Sequence, residues 1–183
     1  MSGIDRAIES IKHLVDRGVD FIVLGSLVFA LKLKSKRFSD DVDVLAFNPD
    51  PVFEEDFYQE MADEVDAVYD KTWSGTPKLV FKNGVVLEVY GNFMEFEVPQ
   101  EFVDECLKWR VRGVEFRSVN VEQNIVLKSR GALVNDKHLR DLKSIARSGE
   151  IEFDRDLISR YLGFYEEGTR RAMERILRES GIL

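Results

Sequence analysis

Phe21-Ile22-Val23-Leu24-Gly25-Ser26 is followed, after a short apolar stretch and a polar one, by Asp41-Val42-Asp43-Val44-Leu45-Ala46-Phe47. Residues 21–24 are an apolar run closed by glycine and read as a buried strand. Gly25-Ser26 reads as the tight turn off that strand, Ser26 to Leu33 as a short apolar helix, and 41–47 as a second strand. Residues i and i+2 of a strand share a face, so Asp41 and Asp43 project together while Val42 and Val44 face the core. Two such carboxylates repel unless a cation joins them, and Mg²⁺ favours few carboxylates plus substrate phosphate oxygens. A turn glycine lets backbone approach a phosphate closely, and the N-terminus of the next helix offers free N–H groups. Together these are the parts that hold a metal-bound nucleoside triphosphate.

Taken one at a time, each piece also has a plain structural explanation. An edge strand with a polar face would carry Asp41 and Asp43, and Ser26 would serve as an ordinary helix cap. A third acid, Glu88, lies inside the apolar run Val85-Val86-Leu87-Glu88-Val89-Tyr90. A charge there is costly if buried alone, so Glu88 belongs either at a solvent edge or in a functional cleft.

The rest of the chain places these residues. Ile4, Ala7, Ile8, Ile11, Leu14 and Val15 follow the helical period up to Gly18. Asn48-Pro49-Asp50-Pro51 is a breaker, after which a helix is expected from about 52 to 65. Lys78–Phe81 and Val85–Tyr90 flank Lys82-Asn83-Gly84, a hairpin signal. A helix is expected from Pro99 to about Leu107, a β-segment at 111–119 with Gly113 at its turn, and helices at 121–132, 136–148, 154–164 and 166–180. The expectation is an α+β fold: a small mixed β-sheet domain with flanking helices at 1–119, followed by a C-terminal helical region at 120–183 packed on it.

Composition narrows the function classes. Of 183 residues, 44% are hydrophobic and 33% charged, as in an ordinary globular protein, and the net charge is −8. Residues 1–106 hold 10 Lys and Arg against 22 Asp and Glu, whereas 107–183 hold 16 against 12. That acidic first part disfavours broad nucleic-acid binding, which rests on neutralising phosphates. Cys106 is the single cysteine, so neither an internal disulfide nor a cysteine metal site is available. No run is long and apolar enough for a membrane span, and a cytoplasmic protein is expected. His13 and His138 are too scattered for zinc. Arg6 and His13 read as surface residues of the first helix.

The ordered set of strand, Gly25-Ser26, helix, Asp41-x-Asp43 and a later strand acid resembles the DNA polymerase β-like nucleotidyltransferase superfamily over roughly the first 90 residues. Arg37-Phe38-Ser39-Asp40-Asp41-Val42-Asp43-Val44 is similar to the Arg-x-Thr-x-Asp-Ile-Asp-Leu stretch of the abortive-infection (AbiEii-like) subset. Leu24-Gly25-Ser26-Leu27-Val28-Phe29-Ala30-Leu31 is similar to its Gly-Gly-x-Ala-x-x-Leu helix start. Glu122 to Lys128 and Lys137 to Asp141 are similar to its Glu-x-x-Ile-x-x-Lys and Lys-Asp-x-x-Asp helices. The chain departs from the pattern at Ser26 for a second glycine, at Glu88 for the more usual aspartate, and at His138 for an acid.

The resemblance implies transfer of a nucleoside monophosphate from an NTP to an acceptor hydroxyl by two-metal catalysis. In that scheme Asp41, Asp43 and Glu88 are the catalytic, metal-holding acids for Mg²⁺, or Mn²⁺ in its place. Gly25, Ser26, Arg37 and Lys128 contact or offset the triphosphate, which ATP would supply. The acceptor is left open among a tRNA end, a protein and a small molecule. The alternative is a catalytically silent nucleotide- or partner-binding module, with a toxin or antitoxin as its partner.

Overall fold

The apolar stripe of residues 4–15 forms α1 (Gly3–Asp16) in the computed structural model, which describes residues 2–33, 40–92 and 97–183. Ser2 starts that helix: its hydroxyl accepts from the Asp5 amide, and the Asp5 carboxylate accepts from the Ser2 amide at 2.9 Å. Two compact units follow from the contacts along the chain: residues 1–92 with 106–118, and 93–105 with 119–183.

The first unit is a mixed sheet with helices. Its strands are β1 (Asp20–Leu24), β2 (Asp41–Asn48), β3 (Val68–Lys71), β4 (Pro77–Val80), β5 (Val86–Tyr90), β6 (Leu107–Val111) and β7 (Val114–Ser118). They lie in the order β3-β4-β5-β2-β1-β7-β6. The β1·β2 pair is antiparallel, β2·β5 and β1·β7 are parallel, and β3·β4, β4·β5 and β6·β7 are antiparallel. Helices α1, α2 (Ser26–Leu33) and α3 (Glu55–Glu64) pack on this sheet. The central strands are the most apolar, with Ile22, Val23, Val42, Val44, Leu45, Leu87 and Val89 fully buried. Tyr69, beside Leu79 in the β3·β4 register, donates its hydroxyl to Glu55 of α3 at 2.9 Å. That helix therefore covers the face carrying Tyr69, Leu79, Leu87 and Val42, and the row Asp70, Lys78, Glu88 and Asp43 lies on the other face.

The second unit comprises α4 (Gln100–Asp104), α5 (Val121–Gly131), α6 (Asp136–Ser148), α7 (Arg155–Leu162) and α8 (Glu167–Ser180). Helix α5 is its centre and packs against α6, α7 and α8. Phe102 of α4 is fully buried, its ring 5.0 Å from Tyr161 and 6.2 Å from Tyr165. Gln123 of α5 donates to the Phe102 carbonyl at 3.2 Å and so pins α4 to the helices.

Two strands depart from the sequence expectation. β3 has only one apolar residue beyond Tyr69, and it is an edge strand whose Val68 is 66% exposed, so burial left no pattern. The helix expected to about Leu107 ends at Asp104, and Leu107–Val111 form a strand in which Leu107, Trp109 and Val111 alternate with Lys108 and Arg110. The helix expected from about 52 begins at Glu55, residues 51–53 being a turn in which Asp50 accepts from the Val52 and Phe53 amides. Among the described residues no helix is long and apolar enough to cross a membrane.

Leu45→Ala in the middle of β2 is expected to cost about 2–5 kcal/mol, against under about 0.5 kcal/mol for Val68→Ala on the exposed edge; urea midpoints check both. His13 stacks on Phe81 with centroids 5.6 Å apart, and desolvation there lowers its imidazole pKa, against the raising effect of Asp16 and Glu9. A depressed folded-state value favours the neutral ring. The His13 contribution is therefore complete above the ordinary imidazole pKa and is lost as pH falls through the folded-state value. Urea midpoints between about pH 7.5 and 5 are expected to fall less in His13→Leu than in the parent chain.

Candidate active site

The turn after β1 is built around one close approach. Gly25 has φ +76°, in the region that favours glycine. A Cβ at Gly25 would lie 1.9 Å from Asp43 Oδ2 and 2.9 Å from its Cγ, so the carboxylate rests against the bare glycine backbone. Leu24 and Asp43 are partners in the β1·β2 register, which brings that carboxylate to the turn. Ser26, the first residue of α2, donates its hydroxyl to the Asp41 carbonyl at 3.3 Å. The helix start and the start of β2 are thus tied together.

The entry to β2 is fixed from two further sides. The Val86 amide donates to the Asp40 carbonyl at 2.8 Å, and Arg6 of α1 reaches the Asp40 carboxylate at 2.5 Å. Arg6 is therefore more than a surface residue: it holds the residue just before Asp41. Burial accompanies that pairing, the Arg6 side chain being about one-third exposed.

Across the sheet, β2 and β5 run parallel with Asp43 opposite Glu88 and Asp41 opposite Val86. Asp41, Asp43 and Glu88 are all partly exposed, while Val42, Val44, Leu87 and Val89 on the alternate positions are buried. The three acids named from the sequence therefore share one face of two adjacent strands, spaced by the ordinary interstrand distance of about 4.8 Å. Glu88 has protein partners of its own. Its Oε2 accepts from the Tyr90 hydroxyl, and its Oε1 lies 3.8 Å from Lys78 Nζ. Lys78 is directly opposite Glu88 in the β4·β5 hairpin and opposite Asp70 in β3·β4.

Neither Lys78 nor Tyr90 was singled out from the sequence. Lys78 was legible in principle, because Lys78 and Glu88 stand equally far from Asn83 at the centre of the hairpin loop. Arg37 lies outside the described residues. Lys128 is in the second unit on α5, where its ammonium donates to Asp141 at 2.8 Å and its side chain is 11% exposed.

Among the described residues no group of three or more His, Cys, Asp or Glu side chains is arranged to hold a metal ion by itself. The hard oxygens of Asp41 and Asp43 nonetheless suit Mg²⁺, which is commonly held by one or two protein carboxylates with phosphate oxygens completing its shell. The open backbone at Gly25 leaves Asp43 room that any side chain would fill.

A family described as nucleotidyl transferase of unknown function matches residues 4–179. The chain belongs to this family. Its fold is shared with solved nucleotidyltransferase structures at low sequence identity. The crystal structure of an antigenic nucleotidyltransferase-like protein from Paracoccidioides brasiliensis superposes with a TM-score of 0.57 at 14% identity, covering 97% of this chain and 88% of that one. The antibiotic-resistance factor ANT(2″)-Ia in solution gives 0.55 at 12% identity, over 98% and 94% of the two chains. Its crystal structure in complex with adenylyl-2″-tobramycin gives 0.54 at 11% identity, over 96% and 97%. Comparison with curated proteins finds no match. Membership in this nucleotidyl transferase family and the shared fold agree with the superfamily resemblance drawn from Gly25-Ser26, Asp41-x-Asp43 and Glu88.

Gly25→Ala is expected to displace Asp43 as well as strain the turn. Gly18 offers the control: it also has positive φ, +71°, but a Cβ there meets nothing within 4 Å. Gly18→Ala should cost only the left-handed penalty of about 1–2 kcal/mol, and Gly25→Ala clearly more, as read from paired denaturation curves.

Proposed function

We propose that the chain transfers a nucleoside monophosphate from a nucleoside triphosphate to an acceptor hydroxyl, with Asp41 and Asp43 holding Mg²⁺ and Glu88 as the third acid of the site. The observation that carries this reading is the single sheet face shared by the three carboxylates, Asp43 opposite Glu88 and Asp41 two residues before Asp43, beside a glycine turn against which Asp43 packs. Family membership supports the transferase class.

The acceptor oxygen forms a bond to the α-phosphorus, the bond from that phosphorus to the oxygen bridging the β-phosphate breaks, and pyrophosphate leaves. The proton of the acceptor hydroxyl passes to Glu88. A bound divalent ion supplies charge neutralisation for the triphosphate and its leaving group. The amides of Gly25 and Ser26 open α2 toward the phosphates, as helix N-termini do in anion sites. Arg37 is the cation proposed to offset phosphate charge. A two-ion version of the chemistry would draw on Glu88 as well as the aspartates, and Glu88 would then exchange its Lys78 and Tyr90 partners for metal.

The donor is proposed to be ATP and the first acceptor class to try is a hydroxyl-bearing small molecule, because a fold neighbour was crystallised with adenylyl-2″-tobramycin. A tRNA end and candidate partner proteins, including a toxin or antitoxin partner, complete the panel. Incubation with each labelled NTP and Mg²⁺ against that panel tests the reading. Label on one acceptor with release of pyrophosphate is expected, and Asp43→Ala is expected to reduce transfer by about 100-fold or more and to abolish Mg²⁺-dependent NTP binding. Unchanged NTP binding in Asp43→Ala would remove the metal assignment. Metal-dependent binding with no label on any acceptor would favour the silent binding module.

A further inference from the structure

Charge along the open row of the sheet is not purely acidic. Asp70, Lys78, Glu88 and Asp43 follow one another across β3, β4, β5 and β2 in register, so an ammonium is built in on the far side of Glu88 from the aspartates. Side chains directly opposite in an antiparallel pair have Cβ atoms about 4.5–5.5 Å apart, so Lys78 is a standing neighbour of Glu88 and not an occasional one. Both side chains are about three-quarters shielded from solvent, at 28% and 25% exposure. The two Glu88 oxygens are addressed separately, Oε1 by Lys78 at 3.8 Å and Oε2 by the hydroxyl of Tyr90, itself a buried residue on the same strand. Asp43 lies against the bare backbone of Gly25, and Asp41 stands opposite Val86 in the register.

We infer that Lys78 is a positioning residue that holds Glu88 out of metal coordination, so that the protein supplies a site for one divalent ion, on Asp41 and Asp43. This rests on the nucleotidyltransferase reading of the three acids. Lys78 offsets one of the three site carboxylates, Asp70 standing on its far side in the row, and the remaining pair, Asp41 and Asp43, matches one divalent cation. With Lys78 in place, a second ion at Glu88 would meet an ammonium already paired there and would also have to displace the Tyr90 hydroxyl. Glu88 is thereby kept as a hydrogen-bond acceptor aligned by its two partners. Where the superfamily resemblance implies a second metal, this chain carries a covalent cation in the neighbouring strand.

The test counts metal ions directly. Free Mn²⁺ is followed by electron paramagnetic resonance as it is titrated into protein carrying one equivalent of an α,β-methylene NTP analogue, with the analogue alone as reference. One ion per complex is expected for the parent chain, two for Lys78→Met, and one again for Lys78→Arg, which restores the cation. Two ions in the parent chain, or one in Lys78→Met, would overturn the role of Lys78. Glu88→Gln gives a second reading that does not depend on Lys78→Met folding: its count should stay at one, and loss of an ion would make Glu88 a metal ligand and overturn the inference. Asp43→Ala separates the two levels of the argument. A parent count that survives Asp43→Ala would defeat the nucleotidyltransferase reading of the site itself, whatever Lys78 does.

Discussion

Parallel pairing of β2 with β5 decides which side chains share the open face of the sheet, because it sets Asp43 opposite Glu88 and Asp41 opposite Val86. Strand side chains alternate, so a slip of one residue would turn Glu88 into the core and bring Leu87 and Val89 out. Burial of Val42, Val44, Leu87 and Val89 opposes that slip, each buried aliphatic side chain contributing about 1.5–3 kcal/mol. The apolar side of these strands is thus what aligns the acidic side. Hairpin pairing of β4 with β5 extends the same register outward to Lys78, and β1 extends it inward to the turn at Gly25.

Several local preferences are set aside at this place. Carboxylates sit together on one face, a lysine is three-quarters shielded in a strand, and a glycine takes positive φ where a carboxylate presses on it. Grouped carboxylates and a shielded lysine cost stability, whereas positive φ suits a glycine, and the place is held by hydrogen bonds from Ser26 to the Asp41 carbonyl, from Val86 to Asp40 and from Tyr90 to Glu88. Departures of this kind concentrate at functional sites, because a fully relaxed sequence would have no reason to hold them.

Much of this is legible in the sequence alone. The buried strands announced themselves through Phe21 to Leu24 and Val85 to Tyr90, the helices after residue 120 through their 3.6-residue period, and the hairpin through Asn83-Gly84. The same-face placement of Asp41 and Asp43 follows from strand alternation alone. What escaped was whatever is defined by exposure or by pairing: edge strands β3 and β6 carry no continuous apolar signal. Lys78 and Tyr90 escaped for a different reason. Each looks like an ordinary strand residue until the register names its neighbour. The bond from Arg6 to Asp40 joins residues distant in sequence, and no local pattern marks it.

That last bond gives the N-terminal helix a practical standing. Its first turn depends on the reciprocal Ser2 and Asp5 cap, and one turn later Arg6 grips the residue that precedes Asp41. A purification tag joined rigidly ahead of Ser2 would extend or fray the very turn from which Arg6 projects, and the disturbance would be delivered to the start of β2. Whatever is joined ahead of Ser2 therefore bears, in this protein, on the acids themselves.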